Sequence, residues 1–318
     1  MNQSPRALSF TNWLRFLAPL ALVLLLLAAC QSKTEPPAEP PATEATAVPA
    51  EVAAPTQPPA TEAPAAPAPT EAPTEPTATP LPPTLGVVMV GVNPAFEPFV
   101  FTDENGQLAG FDIDLLNAMA AASNFEVGFV TSTFNNLFDG LNSGAFDIAM
   151  GAITVTDERK QIVDFSDPYY VSGQSPVSYY DAGQGIAVRV DETGITGPES
   201  LTEGVRVGVK AGTTGERYVV DNTSATFVRY QEAPDALNAL ANGEVDAVVI
   251  DIPVITGFIQ SNPNAGIKLT GGPITQEEYA IAMAKGKPDL LNGVNAALAK
   301  VREDGTYDRI FAKWFGTP

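Results

Sequence analysis

Val87-Val88-Met89-Val90 opens, and Asp147-Ile148-Ala149-Met150 closes, a segment in which short apolar runs alternate with helical spacing. Both runs read as buried strands. Between them, Leu115 to Ala122 is apolar at helical spacing and Phe125 to Val130 reads as a strand. Phe134, Leu137, Phe138 and Leu141 then recur at i, i+3, i+4 and i+7, one face of a helix. The order β-α-β-α-β predicts a parallel sheet covered by helices. The order starts afresh downstream. Val205 to Val209, Thr226 to Tyr230 and Val245 to Ile250 read as strands, the last ending at Asp251, and helices carry Tyr218-Val219 and Ala236 to Leu240. Val171 to Tyr180 going out and Glu278 to Ala284 coming back are extended crossings between the two units. The C-terminal helices, Pro288 to Arg302 and Tyr307 to Phe315, return to the first. The expected fold class is therefore α/β with two lobes. Lobe 1 takes residues 85–171 and 283–318, and lobe 2 takes residues 172–282 with the two hinge strands at its ends. Lobes joined in this way can close on a ligand.

Upstream the chain changes character. Residues 1–30 have the form of a secretion signal: Arg6 and Arg15 with no acid, then an apolar run from Phe16 to Ala29. That run is shorter than the ~20 residues a bilayer-spanning helix needs. It ends in Leu27-Ala28-Ala29-Cys30, which resembles the bacterial lipobox, and the resemblance implies lipidation of Cys30 and anchoring to the cell membrane. Residues 31–84 hold 16 of the 29 prolines and no aromatic side chain. They cannot bury enough apolar area to offset ordering entropy, and are expected to form a disordered stalk of Pro, Ala, Thr and Glu.

Composition excludes much chemistry. The chain has one cysteine, no histidine and a net charge of −20. A lipidated Cys30 leaves no disulfide and no cysteine-ligated metal. The lack of histidine removes His-dependent triads, His-ligated zinc and a histidine proton switch. No basic block occurs, so no nucleic-acid partner is expected. No cofactor is expected, and the acidic core, with 14 basic and 30 acidic side chains from residue 85 onward, suits an extracytoplasmic monomer.

The chemistry gathers in four segments at strand ends, where open α/β sheets bind ligands. They are Asn93 to Phe99, Gly151 to Lys160, Lys210 to Thr214, and Asp251-Ile252-Pro253. With Gly110-Phe111-Asp112-Ile113-Asp114-Leu115, Asp164-Phe165-Ser166-Asp167-Pro168-Tyr169-Tyr170 and the ending Arg302 to Tyr307 then Trp314-Phe315-Gly316, they resemble, in this order, the periplasmic (extracytoplasmic) solute-binding proteins of ABC importers for polar amino acids. The likeness covers about Leu85 to Gly316 and is nearest to glutamine-binding members, of the type II-like two-lobed fold.

The resemblance implies a site. Arg159 corresponds to the residue that grips the ligand α-carboxylate, since a guanidinium fork matches a carboxylate. The alternative is a solvated helix-start residue paired with Asp157 or Glu158. Thr154 would add hydroxyl and backbone contacts, and Gly151 and Ala152 belong to the same loop. Thr213 and Thr214 open a helix whose N–H groups attract anions, or simply cap it. Asp251 corresponds to the partner of the α-ammonium, or to a helix cap. Phe96 and Phe134 would sandwich the ligand side chain, or pack in the core. Lys210 completes the set, and Asn93 is left to read the side chain. An amide there suits a neutral polar ligand, glutamine first. Asn93 and Gly151-Ala152 depart from the aspartate and Ala-Gly of glutamine-binding relatives, which leaves the ligand open. The expected function is a lipid-anchored, non-enzymatic binding component that hands a small amino acid to ABC permease subunits. The alternatives are a dehydratase on the same scaffold with Asp251 or Glu97 as general acid, and a ligand sensor for a membrane receptor.

Overall fold

The computed structural model describes residues 85–174 and 181–316. The expectations for the signal, Cys30 and the stalk lie outside the described residues, as do residues 175–180 of the outward crossing and the last two residues.

The first part of the chain forms β1 (Val87–Val92), β2 (Ala95–Phe96), β3 (Val100–Thr102), β4 (Leu108–Ala109), α1 (Phe111–Ser123), β5 (Glu126–Thr131), α2 (Asn136–Ser143) and β6 (Ile148–Ala149). Then come α3 (Asp157–Ile162), β7 (Val163–Phe165) and β8 (Tyr170–Val171). The middle part forms β9 (Gln184–Arg189), β10 (Arg206–Lys210), α4 (Thr214–Asn222), β11 (Thr226–Tyr230), α5 (Ala233–Ala241), β12 (Ala247–Asp251), α6 (Ile252–Ser261) and β13 (Ile267–Thr270). The chain returns through β14 (Glu278–Tyr279) and β15 (Ala282–Ala284) to α7 (Pro288–Glu303) and α8 (Thr306–Phe315).

Two five-stranded sheets result, ordered β5-β1-β6-β15-β7 and β11-β10-β12-β9-β13. Each is parallel where a helix makes the crossover: β1 pairs with β5 and β6, and β10 with β11 and β12. Each is antiparallel beyond that, at β15 and at β9. The sheets are thus mixed, not parallel throughout as the strand order suggests. A parallel neighbour needs a long crossover. β15 arrives from the other lobe, with no helix to turn it, and enters between β6 and β7 running the opposite way. A small third sheet, β2-β3-β4, is invisible to periodicity because its strands are only two or three residues long.

β8 and β14 form an antiparallel pair, Tyr170 opposite Tyr279, and make up the hinge. α7 and α8 pack on α1, joined by a cluster of Phe111, Tyr170, Phe311 and Phe315, with Phe111 and Phe315 rings 5.1 Å apart. Phe134 lies in the turn before α2, not on its helical face. The helix starts two residues later, yet the ring still packs with Leu137, Leu141 and Phe138 of α2 while it also lines the cleft.

One buried group fixes the loop after β6. Gly151 and Ala152 both have positive φ, +151° and +49°. A left-handed alanine is strained and persists only if held. Here the Ala152 N–H donates to the Asp112 Oδ2 at 3.0 Å, and the Tyr169 hydroxyl donates to the same oxygen at 2.8 Å. Asp112 is fully buried, and burial pushes its carboxyl up to about 7 against these two bonds. Above the ordinary aspartate range the folded state therefore holds a proton that the unfolded chain has lost. The stability from this group falls as pH rises toward 7. Asp112→Asn offers an uncharged group of the same shape. Urea denaturation from pH 4 to 8 should show the variant gaining on the parent as pH rises, by at most about 1.4 kcal/mol per pH unit. Parallel curves would mean that Asp112 does not titrate in the folded protein.

Candidate functional site

The ends of β1, β6, β10 and β12 point into the cleft between the lobes. Phe96, Phe134, Ala152, Thr154 and Arg159 from the first lobe and Thr213, Thr214 and Asp251 from the second line one enclosure. Its volume is about 10 Å³, room for roughly one water. A wider groove of about 520 Å³ shares Arg159, Thr213 and Thr214 and lies outside it. The lobes are therefore shut on their own side chains.

Arg159 sits in the first turn of α3, whose cap is Thr156. Its guanidinium donates to the Thr154 carbonyl at 2.7 Å in its own lobe and to the Gly212 carbonyl at 3.2 Å in the other. The rings of Phe134 and Phe138 flank it at 5.3 and 5.4 Å. It is not the solvated residue of the alternative reading. Asp157 pairs with Lys160, and Glu158 reaches Arg217 across the cleft at 3.1 Å. Burial lowers the Arg159 pKa, while Glu277, Asp251 and Glu158 act to keep it charged. Gly212 has φ +77°, which strains any other residue, and a Cβ there would lie 1.8 Å from Asn135 Oδ1 of the first lobe, so the Asn135 side chain would have to move.

Asp251 ends β12 at the cap position of α6, yet its side chain makes no capping bond. It accepts from the Tyr279 hydroxyl at 2.5 Å. Burial, then the neighbouring Glu277, pushes its carboxyl up to about 7. Thr213 does cap α4, accepting from the Glu216 N–H at 3.3 Å, and its hydroxyl donates to the Lys210 carbonyl. Thr214 accepts from the Gln184 amide at 3.1 Å. The Thr154 hydroxyl donates to Glu277 at 2.8 Å, so its one proton is engaged within the hinge. No bond from the Thr154 N–H occurs among the described residues, and that N–H is the group left to meet an anion.

Phe96 and Phe134 each belong to a core cluster and also line the cleft. Asn93, Gly151 and Lys210 do not line the enclosure. Asn93 is buried and fully engaged: its amide nitrogen reaches the Ser132 carbonyl at 3.1 Å and Glu232 at 3.3 Å, and its oxygen accepts from Lys210 at 2.8 Å. Glu97 bonds Ser261 at an exposed position, away from the enclosure.

Sequence reasoning missed Gln184, Glu232, Glu277 and Tyr279. Glu277 is buried and accepts from Thr154, Thr275 and Gln184. An acidic pair, Glu277-Glu278, heading an otherwise apolar crossing was the available signal. Gln184 gave none, because strand pairing alone puts it opposite Asp251. Among the described residues, no cluster of three potential metal ligands occurs and no helix is long and apolar enough to cross a membrane.

The model of the bacterial extracellular solute-binding proteins, family 3, matches residues 88–317. A probable histidine-binding protein of Neisseria gonorrhoeae is 37% identical over 233 residues, 72% of this chain and 83% of that protein. An ancestral arginine-binding protein, solved bound to arginine, is 39% identical with a TM-score of 0.67 over 73% of this chain and all of that one, and it has also been solved bound to glutamine. An ancestral amino acid-binding protein described as a precursor of cyclohexadienyl dehydratase is 36% identical with a TM-score of 0.64, covering 72% of this chain and 96% of that one.

The Asp251–Glu277 pair gives a direct check. The Asp251 carboxyl should titrate near pH 7 by carbon-detected NMR. Glu277→Gln keeps the shape and one acceptor oxygen but removes a like charge, so the midpoint should move down. A midpoint that stays put or rises would mean the two carboxylates do not interact.

Proposed function

The chain belongs to the bacterial extracellular solute-binding proteins of family 3, and on that premise we propose that it captures a free polar α-amino acid between its lobes and delivers it to the permease subunits of an ABC importer. The observation that carries this reading is the pairing of opposite charges across one buried enclosure, Arg159 from the first lobe and Asp251 from the second. An α-carboxylate bound to Arg159, the Thr154 N–H and the first N–H groups of α4 leaves the α-ammonium facing Asp251. Each ligand charge then replaces water for a buried partner of opposite sign, which is what makes closure over the ligand favourable. The side chain extends between Phe96 and Phe134. Glutamine is the first candidate, as an uncharged polar side chain of that length.

The lobes act as a closing clamp about β8 and β14, and the protein works outside the cytoplasm as a monomer held to the membrane by lipid on Cys30. The binding role needs no catalysis. One observation favours a second reading. Asp251, near 7 beside Glu277, has the pKa of a general acid, which a dehydratase would need. Product formation from a cyclic carboxylic acid, absent in Asp251→Asn, would favour that reading over capture.

A thermal-shift panel of the twenty amino acids on the purified protein tests capture. At a hundredfold excess over Kd the right ligand adds about 2.7 kcal/mol, a Tm rise of roughly 5–10 °C for a domain of this size. Arg159→Ala should abolish the rise. A panel in which no amino acid moves Tm sinks the proposal. Separately, Cys30→Ser should shift the protein from the membrane to the soluble fraction, since the stalk offers no second hydrophobic signal. A variant still wholly membrane-bound after signal removal would exclude the lipid anchor.

A further inference from the structure

One of the two crossings between the lobes is written twice. Tyr169-Tyr170-Val171-Ser172-Gly173-Gln174 is followed, ten residues on, by Tyr179-Tyr180-Asp181-Ala182-Gly183-Gln184, and four of the six positions are identical. The two copies share the work of one strand. Tyr170 faces Tyr279 and Val171 faces Glu278 in the β8–β14 ladder, and the Ser172 N–H donates to the Glu277 carbonyl at 3.0 Å. Continued at one residue per step, this register would bring Gly173 to Gln276 and Gln174 to Thr275. The glutamine found beside Thr275 is instead Gln184. Its N–H donates to the Thr275 hydroxyl at 2.8 Å, and its carbonyl accepts the Ile274 N–H at 2.9 Å. The jump equals the spacing of the repeat. The chain leaves the strand after Ser172 and rejoins it at Gly183. Ser172 and Ala182, corresponding residues of the two copies, meet there: the Ser172 hydroxyl donates to the Ala182 carbonyl at 2.6 Å. The Gly173 N–H donates to the Asp181 carboxylate beside them.

The two glycines of the repeat differ accordingly. Gly183 has φ +130°, and a Cβ there would lie 2.3 Å from the Thr275 carbonyl oxygen, whereas a Cβ on Gly173 would meet nothing within 4 Å. The tyrosines of the first copy are fully buried, with Tyr170 against Phe111, Phe311 and Phe315. The front half of the first copy thus packs in the first lobe. The back half of the second enters the second lobe, where Gln184 opens β9 and donates to Thr214 and Glu277. We propose that Gly173–Ala182 is a tandem duplication carried in one hinge strand, and that the fold and the cleft need only one copy. Excision joins Ser172 to Gly183. It leaves Tyr169-Tyr170-Val171-Ser172-Gly183-Gln184, which repeats the first copy residue for residue and runs along β14 in unbroken register. Gln174 gives up its bond to the Tyr307 hydroxyl at 2.6 Å, and that hydroxyl keeps its own bond to the Tyr169 carbonyl. Every side chain that faces the cleft stays.

Thermal melts, with calorimetry of L-glutamine and L-arginine, on the purified parent and three excisions test this. One variant lacks residues 173–182, in phase with the repeat. The others lack 173–181 and 173–183, one residue to either side of that phase. The in-phase variant should melt within about 3 °C of the parent, because the loop-closure entropy it recovers offsets the few bonds lost. It should bind whichever of the two amino acids the parent binds, within about threefold. The other two should melt at least about 5 °C lower, since a slip of one residue turns strand side chains to the wrong face. Three variants that melt alike overturn the inference, because phase then has no meaning. An in-phase variant that melts as low as the other two overturns it as well, as does one that folds but loses a ligand the parent binds. A parent that binds neither amino acid bears on the capture reading alone, and the melts still decide the duplication.

Discussion

A buried guanidinium cannot be left without partners, and Arg159 meets that constraint by using both lobes at once. Its two bonded carbonyls, Thr154 and Gly212, belong to opposite sides of the cleft. Removing a charge from water without such compensation is expensive enough to forbid the arrangement. Much of the surrounding geometry answers to this need. The loop after β6 bends through two positive-φ residues to present the Thr154 carbonyl. The turn after β10 carries a glycine at positive φ, close against the Asn135 side chain. The buried acids Asp251 and Glu277 help hold the charge in place.

The hinge is part of the site rather than a passive link. β14 carries Tyr279, whose hydroxyl holds Asp251 of the second lobe, while the residue before it, Glu277, holds Thr154 of the first. The strand that joins the lobes thus contacts a proposed anion-binding residue on one side and a proposed cation-binding residue on the other.

Charge is also paired in two places. Asp251 and Glu277 act to keep Arg159 charged, and Lys210 is bonded to Glu232. Asn93, read from sequence as the residue facing the side chain, turns out to be bonded to Lys210, Glu232 and Ser132. Its amide groups are taken up by these three partners.

Short-range pattern determined a good deal by itself. The β-branched run at Val87 to Val90, the strand at Thr226 to Tyr230 and the helices around Ala236 and Pro288 all appear close to where periodicity set them, because each buries a face that any fold must cover. Arg159, Thr213, Thr214 and Asp251 are singled out by the resemblance, in loops that follow strands, whereas by pattern alone each reads equally as a helix cap or a solvated helix-start residue. Tertiary structure alone decided the rest. Whether β15 runs parallel or antiparallel depends on where the chain returns from, not on its own three residues. Gln184 meets Asp251 only through the register of β9 on β12, and Glu277 meets Thr154 only through the crossing at β14. Lys210 belongs to the set that the resemblance implies, but its partner Asn93, 117 positions away, is brought within 2.8 Å of it only by the fold. Hydrophobic periodicity is local and survives in the sequence. The partner of a buried charge is chosen by the path of the whole chain, and no local pattern records it.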